Sequence, residues 1–140
     1  MARLNKTRDG VVAQKKNVCV MSIPFVEADI LVDGSVYVQI PDRSMITKVI
    51  SNITTASGTA GATLDVVANG VVLVNEMAVA AANVTDETLV AAAQYLATGG
   101  ELVIKAGATT PADSALIGEV LIEYIEMDKN TGEYTEHLLA

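Results

Sequence analysis

Gly118-Glu119-Val120-Leu121-Ile122-Glu123-Tyr124-Ile125 decides the fold class. Gly118, Val120, Ile122 and Tyr124 fall on one face of an extended chain, while Glu119, Leu121, Glu123 and Ile125 fall on the other. A period of two marks a strand, because successive Cβ atoms point to opposite sides of a pleated backbone. Outward from it the same period recurs. Leu102 and Ile104 oppose Lys105, and Ala62, Leu64, Val66 and Ala68 alternate with Thr63, Asp65 and Val67 before an Asn69-Gly70 turn. An apolar run over 71–74 follows. Nearer the start, 17–23 alternates Val18 and Val20 against Cys19, Met21 and Ile23, with Pro24 expected to end the strand. Residues 27–32 lead to Asp33-Gly34, a hairpin-type turn, and 36–40 form the next strand, closed by Pro41. Asp9-Gly10 is a further turn of this kind. Short strands separated by Gly, Asn and Asp turns predict an all-β protein, an antiparallel jelly roll or β-sandwich.

Two stretches also fit a helix. Met45, Ile46, Val49, Ile50 and Ile53 make a helical stripe, but their β-branched side chains, with Asn52, Thr54 and Thr55 nearby, favour a strand. Residues 86–96 are better helix material: Thr85 as N-cap, Asp86 and Glu87 in the first turn, alanine over 91–93 and Gly99 beyond the end. At most one short helix is expected, and it is expected there. The alanine-rich stretch 75–84 fits neither class.

A chain of 140 residues is the size of one domain, able to bury about two thirds of its unfolded surface. Its net charge of −8 is unevenly divided. Residues 1–16 carry Arg3, Lys6, Arg8, Lys15 and Lys16 against Asp9, a net +4, whereas the remainder holds four basic and sixteen acidic side chains, a net −12. The division suggests a basic N-terminal arm (1–16), a β-sandwich domain (17–127) and a polar C-terminal tail (128–140). Such an arm either reaches an acidic neighbour or is a solvated chain end. Direct nucleic-acid binding is disfavoured, because a −12 body repels phosphates and no aromatic residue interleaves with the arm's charges. The longest charge-free stretch, 49–64, is broken by Ser, Asn, Thr and Gly, so no membrane span is expected, and no apolar h-region suggests a secretory signal.

Catalytic chemistry finds little to work with. The chain has one Cys, one His and no Trp. Cys19 lies in an apolar strand, where cysteine is ordinarily a small core hydrophobe, and its only possible base, His137, comes from the opposite end of the chain. No Gly-x-Ser-x-Gly elbow accompanies His137, and one Cys with one His does not make a zinc site. Glu119, Glu123, Glu126 and Asp128 are acidic without the alternating D-x-D-x-D-G ligands of a calcium loop, and read as a solvated sheet face. Gly58, Gly61, Gly99, Gly100 and Gly107 punctuate turns rather than cradle phosphate. Asn5, Asn52 and Asn83 begin glycosylation-like triplets that carry no weight without a secretory signal. A non-enzyme without cofactor or metal is expected.

Gly58-Thr59-Ala60-Gly61-Ala62-Thr63-Leu64-Asp65-Val66 is a glycine-rich turn feeding a strand. Gly107-Ala108-Thr109-Thr110-Pro111-Ala112-Asp113-Ser114-Ala115-Leu116-Ile117 is a small-residue loop running into the terminal strand. Together these stretches, within residues 45–126, resemble the capsid decoration or cementing proteins of tailed phages. Length, composition and the basic arm are most similar to the cementing type of short-tailed Bordetella phages. The departure is 75–93, whose alanine-rich composition does not align. The resemblance implies a jelly-roll structural protein made in the host cytoplasm and placed on the outer surface of the virion. There it would bridge major capsid proteins, as a homodimer rather than a trimer, with no nucleic acid, membrane or cofactor. On that reading Arg3, Lys6, Arg8, Lys15 and Lys16 would pair with acidic capsid groups, and residues 11–13 would add as a strand to a neighbour's edge. Leu138 and Leu139 would either contact another subunit or pack back on their own domain. The rival expectations are a tail or head-fibre component and a carbohydrate-binding sandwich. For the latter, Phe25, Tyr37, Tyr95, Tyr124 and Tyr134 offer little aromatic platform.

Overall fold

The structure, a computed structural model, describes residues 17–31, 35–91, 93–112 and 115–127. Nine strands and one helical turn follow in the order β1 (Val18–Val26), α1 (Glu27–Leu31), β2 (Ser35–Ile40), β3 (Ser44–Thr55), β4 (Thr63–Ala68), β5 (Val71–Ala78), β6 (Val84–Glu87), β7 (Gln94–Leu96), β8 (Gly100–Ala106) and β9 (Ile117–Glu126). They form two antiparallel sheets. The first has the order β1-β9-β3-β6, with β7 also on β3, and the second β2-β8-β4-β5. With β6 and β7 counted as one interrupted strand, first pairs with last, second with second-last, and so inward to the β4–β5 hairpin. A ribbon folded on itself in this way is a jelly roll, as expected.

Alternation puts the core between the sheets. Ile23 and Phe25 of β1, Val120 and Ile122 of β9, and Ile46, Val49 and Ile53 of β3 face Leu64, Val66, Leu102 and Ile104 of the other sheet, all buried. The helix-like spacing in β3 has a simple cause. A register shift against β9 between Ile46 and Lys48 inserts an extra residue, so the buried set runs Ser44, Ile46, then Val49, Ser51, Ile53. A bulge turns a step of two into a step of three, which imitates a helical stripe. Asn69 and Gly70, both at positive φ (46° and 79°), make the two-residue turn between β4 and β5.

Three expectations are corrected. Residues 86–96 are not helical: β6 pairs with Val49–Asn52 of β3 and β7 with Ser44–Ile46, continuing one edge line interrupted by an excursion. The excursion crosses to the second sheet, where the Val90 N–H donates to the Leu73 carbonyl (2.9 Å) and Leu89 packs on the core. Tertiary pairing overrides the local helix signal, and Thr85 stands in a strand instead of capping a helix. The helical turn is α1, which carries the chain from β1 to β2 in the other sheet, so those strands are not a hairpin; Asp33-Gly34 lies outside the described residues. Nor does Pro24 end β1, which continues to Val26. An edge strand tolerates a residue that cannot donate to a ladder.

Candidate interaction surfaces

The outer face of the first sheet mixes acid with apolar surface. Glu119 is fixed in the middle of it: the Ser22 hydroxyl of β1 donates to Oε2 (2.8 Å) and Asn52 Nδ2 of β3 donates to Oε1 (3.0 Å). The two donors favour the ionised form, and they hold the carboxyl below its ordinary value of 4.5, Asn52 contributing more than Ser22. Two pleat repeats further along β9, Glu123 accepts from the Thr47 hydroxyl (2.9 Å), while Lys48 pairs with Asp86 across to β6 (3.3 Å). Between these polar rungs lie Leu121 and Ile50, half-buried, and around them half-buried Ile125 and Val18, Val20 and Ile117, which are 56%, 64% and 47% exposed. Thr47, Lys48, Asp86, Glu87, Thr88 and Leu89 line a shallow open hollow beside Glu123. With the carboxylates of Glu119, Glu123 and Asp86 to one lysine, Lys48, the face is electrostatically suited to a basic partner.

A second surface sits at one end of the sandwich. There the two stretches that carry the decoration-protein resemblance meet. The Thr63 N–H donates to the Thr109 carbonyl and the Gly107 N–H to the Thr63 carbonyl, both at 2.9 Å. The Ala112 N–H reaches the Thr59 hydroxyl (3.0 Å), and Pro111 is buried between them. Gly107 is needed here, because a Cβ would stand 2.5 Å from Thr63 Oγ1. The opposite end is closed by the Gly99 N–H donating to Asp42 Oδ1 (2.6 Å) and by Asn69 Nδ2 reaching the Thr98 carbonyl (3.2 Å).

Of the residues proposed from sequence to bind partners, Arg3, Lys6, Arg8, Lys15, Lys16, Leu138 and Leu139 lie outside the described residues, as does His137. Cys19 is half-buried on the inward side of β1, opposite Tyr124, and is not part of the buried core cluster expected of it. Its position explains this: among the described residues β1 is an edge strand, and Cys19 is its second residue. Glu119 and Glu123 do share one face of β9, each tied to hydroxyl or amide donors. Among the described residues no three His, Cys, Asp or Glu side chains are grouped to hold a metal ion.

Sequence reasoning missed two acidic positions. Glu27 is 1% exposed at the start of α1; its N–H donates to the Leu116 carbonyl (2.9 Å), and its Oε2 accepts from the Leu116 N–H (3.4 Å). Its carboxylate thus pins the lead-in to β9. Glu87 accepts a short hydrogen bond from the hydroxyl of Ser51, itself fully buried. Nothing in the local pattern separates these from surface carboxylates, since the partners that hold them lie on segments distant in sequence.

No family model matches the chain, and no curated protein matches it. Among solved structures, it is similar to a chain in the acidic stable capsid structure of Helicobacter pylori bacteriophage KHP30. The identity is 15% and the TM-score 0.49, over 81% of this chain and 93% of that one.

Proposed function

We propose that this chain is a structural virion protein that binds the outside of an icosahedral phage capsid and cements neighbouring major capsid proteins, in the manner of the cementing proteins of short-tailed Bordetella phages. The observation that carries the reading is the division of charge: a +4 segment of sixteen residues precedes an acidic jelly roll. The carboxylates on the sandwich's outer face, Glu119 and Glu123, are tied into the sheet by Ser22, Asn52 and Thr47 and are not poised for chemistry. On this reading the role is adhesive rather than catalytic. The joined loops around Thr63 and Gly107 support it, because they bring the two resembling stretches into one structure.

The physics of cementing is mass action. A protein that binds the assembled lattice better than free subunits stabilises the lattice. Individually weak contacts suffice when several engage together, because the second contact forms at high effective concentration. Arg3, Lys6, Arg8, Lys15 and Lys16 supply the salt-sensitive part of the grip. Replacing all five by Ser tests it: retention on capsids falls, and the remaining binding loses its dependence on ionic strength. Retention equal to that of the native chain in both low and high salt removes the arm from the account.

A further inference from the structure

The two sheets present unlike outer faces. On the first, Val18, Val20, Val26, Ile117, Val84 and Tyr95 are between 39% and 69% exposed, spread over β1, β9, β6 and β7. On the second, among the described residues, Val71 and Val72 are exposed beside the Asn69-Gly70 turn, and Asp65 stands in register with Lys105. An extended apolar surface that folding leaves uncovered marks an interaction site. Two carboxylates are built into it. Along β9, Glu119, Leu121 and Glu123 point outward in turn, with Leu121 between Ser22 and Ile50 and Glu123 beside Val20. Four residue steps of strand set Glu119 and Glu123 about 13 Å apart, with Leu121 midway. Asp86 is already answered by Lys48. Among the described residues Glu119 and Glu123 instead accept from the uncharged side chains of Ser22, Asn52 and Thr47. A carboxylate has about four lone-pair sites, so each keeps room for an incoming ammonium or bidentate guanidinium.

We infer that this outer face of the first sheet docks on the shell, against a capsid-protein surface that presents two basic side chains about 13 Å apart with apolar side chains between and around them. The chemistry of the face selects that occupant. A purely apolar partner takes two ionised carboxylates out of water, a cost that only opposite charge offsets. A second copy on the same face gathers four carboxylates into one interface, and phosphate or anionic lipid is repelled for the same reason. Ser22, Asn52 and Thr47 hold Glu119 and Glu123 in place before binding, so little side-chain freedom is lost when a cation pairs with them. Enclosed among apolar neighbours, such pairs are screened little by salt, which separates this contact from the salt-sensitive grip assigned above to the basic residues. The inference rests on the proposed function and deepens it, by naming the face of the jelly roll that meets the capsid.

The test is co-sedimentation of full-length variants with capsids of the source phage stripped of this protein, each variant first shown to keep the native circular dichroism. Glu119→Gln with Glu123→Gln preserves the shape of both side chains and an acceptor oxygen on each, and is expected to raise the apparent Kd about tenfold or more. Val20→Lys, which sets a cation beside Glu123, is expected to weaken binding in the same sense. Glu101→Gln with Glu76→Gln removes the same net charge from exposed positions of the second sheet, and is expected to change the Kd by less than about twofold. Carboxyl labelling with a carbodiimide and glycine ethyl ester reads the face without a substitution: Glu119 and Glu123 react in the free chain and are protected on capsids, while Glu101 and Glu76 react in both. A native chain that pellets while Glu119→Gln with Glu123→Gln pellets equally, or protection of Glu101 and Glu76 in place of Glu119 and Glu123, overturns the inference and leaves the proposed function standing. Protection of Glu119 and Glu123 already in the free protein, by a second copy or another segment of the chain, overturns it as well. A native chain that never pellets overturns both.

Discussion

Gly99 is the position where a single methyl group should do most damage. A Cβ there would lie 2.2 Å from the Ile40 carbonyl oxygen, 2.5 Å from the Pro41 carbonyl carbon and 2.6 Å from the Asp42 nitrogen. All three are backbone atoms, so no rotamer change relieves the overlap; the β2–β3 turn has to move by about 1 Å to restore contact near van der Waals distance. Overpacking by one methyl costs about 1–3 kcal/mol where side chains can give way. Here the same movement also loosens the 2.6 Å hydrogen bond from Gly99 N–H to Asp42 Oδ1, a charge-assisted contact worth about 1.5–3 kcal/mol. Against this, Gly→Ala gains about 0.4–1 kcal/mol by restricting the unfolded chain. The net expectation for Gly99→Ala is a loss of about 3 kcal/mol. With a urea slope of about 1–3 kcal/mol/M, the unfolding midpoint falls by about 1–3 M. Gly107→Ala is the internal control: its closest clash is with a side-chain oxygen, Thr63 Oγ1, so the expected loss is about 1 kcal/mol. The assay is urea unfolding of the full chain followed by circular dichroism. A Gly99→Ala midpoint within experimental scatter of the native one, or a larger loss for Gly107→Ala, refutes the packing argument at this end of the sandwich.

Other expectations follow from the same contacts. Ile122→Ala, in the strand shared by β1 and β3, leaves a cavity between the sheets and costs about 2–5 kcal/mol, measurable as a lowered midpoint with an unchanged slope. Ser51→Ala removes the donor to Glu87 and costs about 1.5–3 kcal/mol; in a double-mutant cycle with Glu87→Gln the two losses are less than additive. Glu119 is held below its ordinary value in the folded chain, so the stability it adds is present above that value and is lost as pH falls through the folded-state pKa. Asn52→Ala should therefore return the Glu119 titration toward 4.5 by a larger step than Ser22→Ala does, as read by carboxyl NMR; equal steps, or none, contradict the assignment of the two donors.

The sequence carried the fold wherever burial is one-sided. β9 from Ile117 to Ile122 and β4 as far as Val66 show a period of two because one face of each meets the opposite sheet. β3 was readable only through its β-branched composition, since the bulge after Ile46 breaks the period that would have declared it. The stretch 86–96 misled because Thr85, Asp86 and Glu87 have the chemistry of a helix start, while what fixes them is β3, more than thirty residues earlier. Glu27 illustrates the same limit for single residues: its burial depends on Leu116, 89 positions away. As to function, composition showed the charge division and the shortage of catalytic groups. It gave no sign that β1 would stand at a sheet edge among the described residues, which is a property of strand order and not of local pattern.

The central claim is adhesion to a capsid, and the direct test is co-sedimentation with capsids of the source phage stripped of this protein. Full-length chain is compared with chain lacking residues 1–16. The account predicts saturable, stoichiometric pelleting of the full-length chain and its loss on truncation. Full-length chain that stays in the supernatant at every capsid concentration contradicts it.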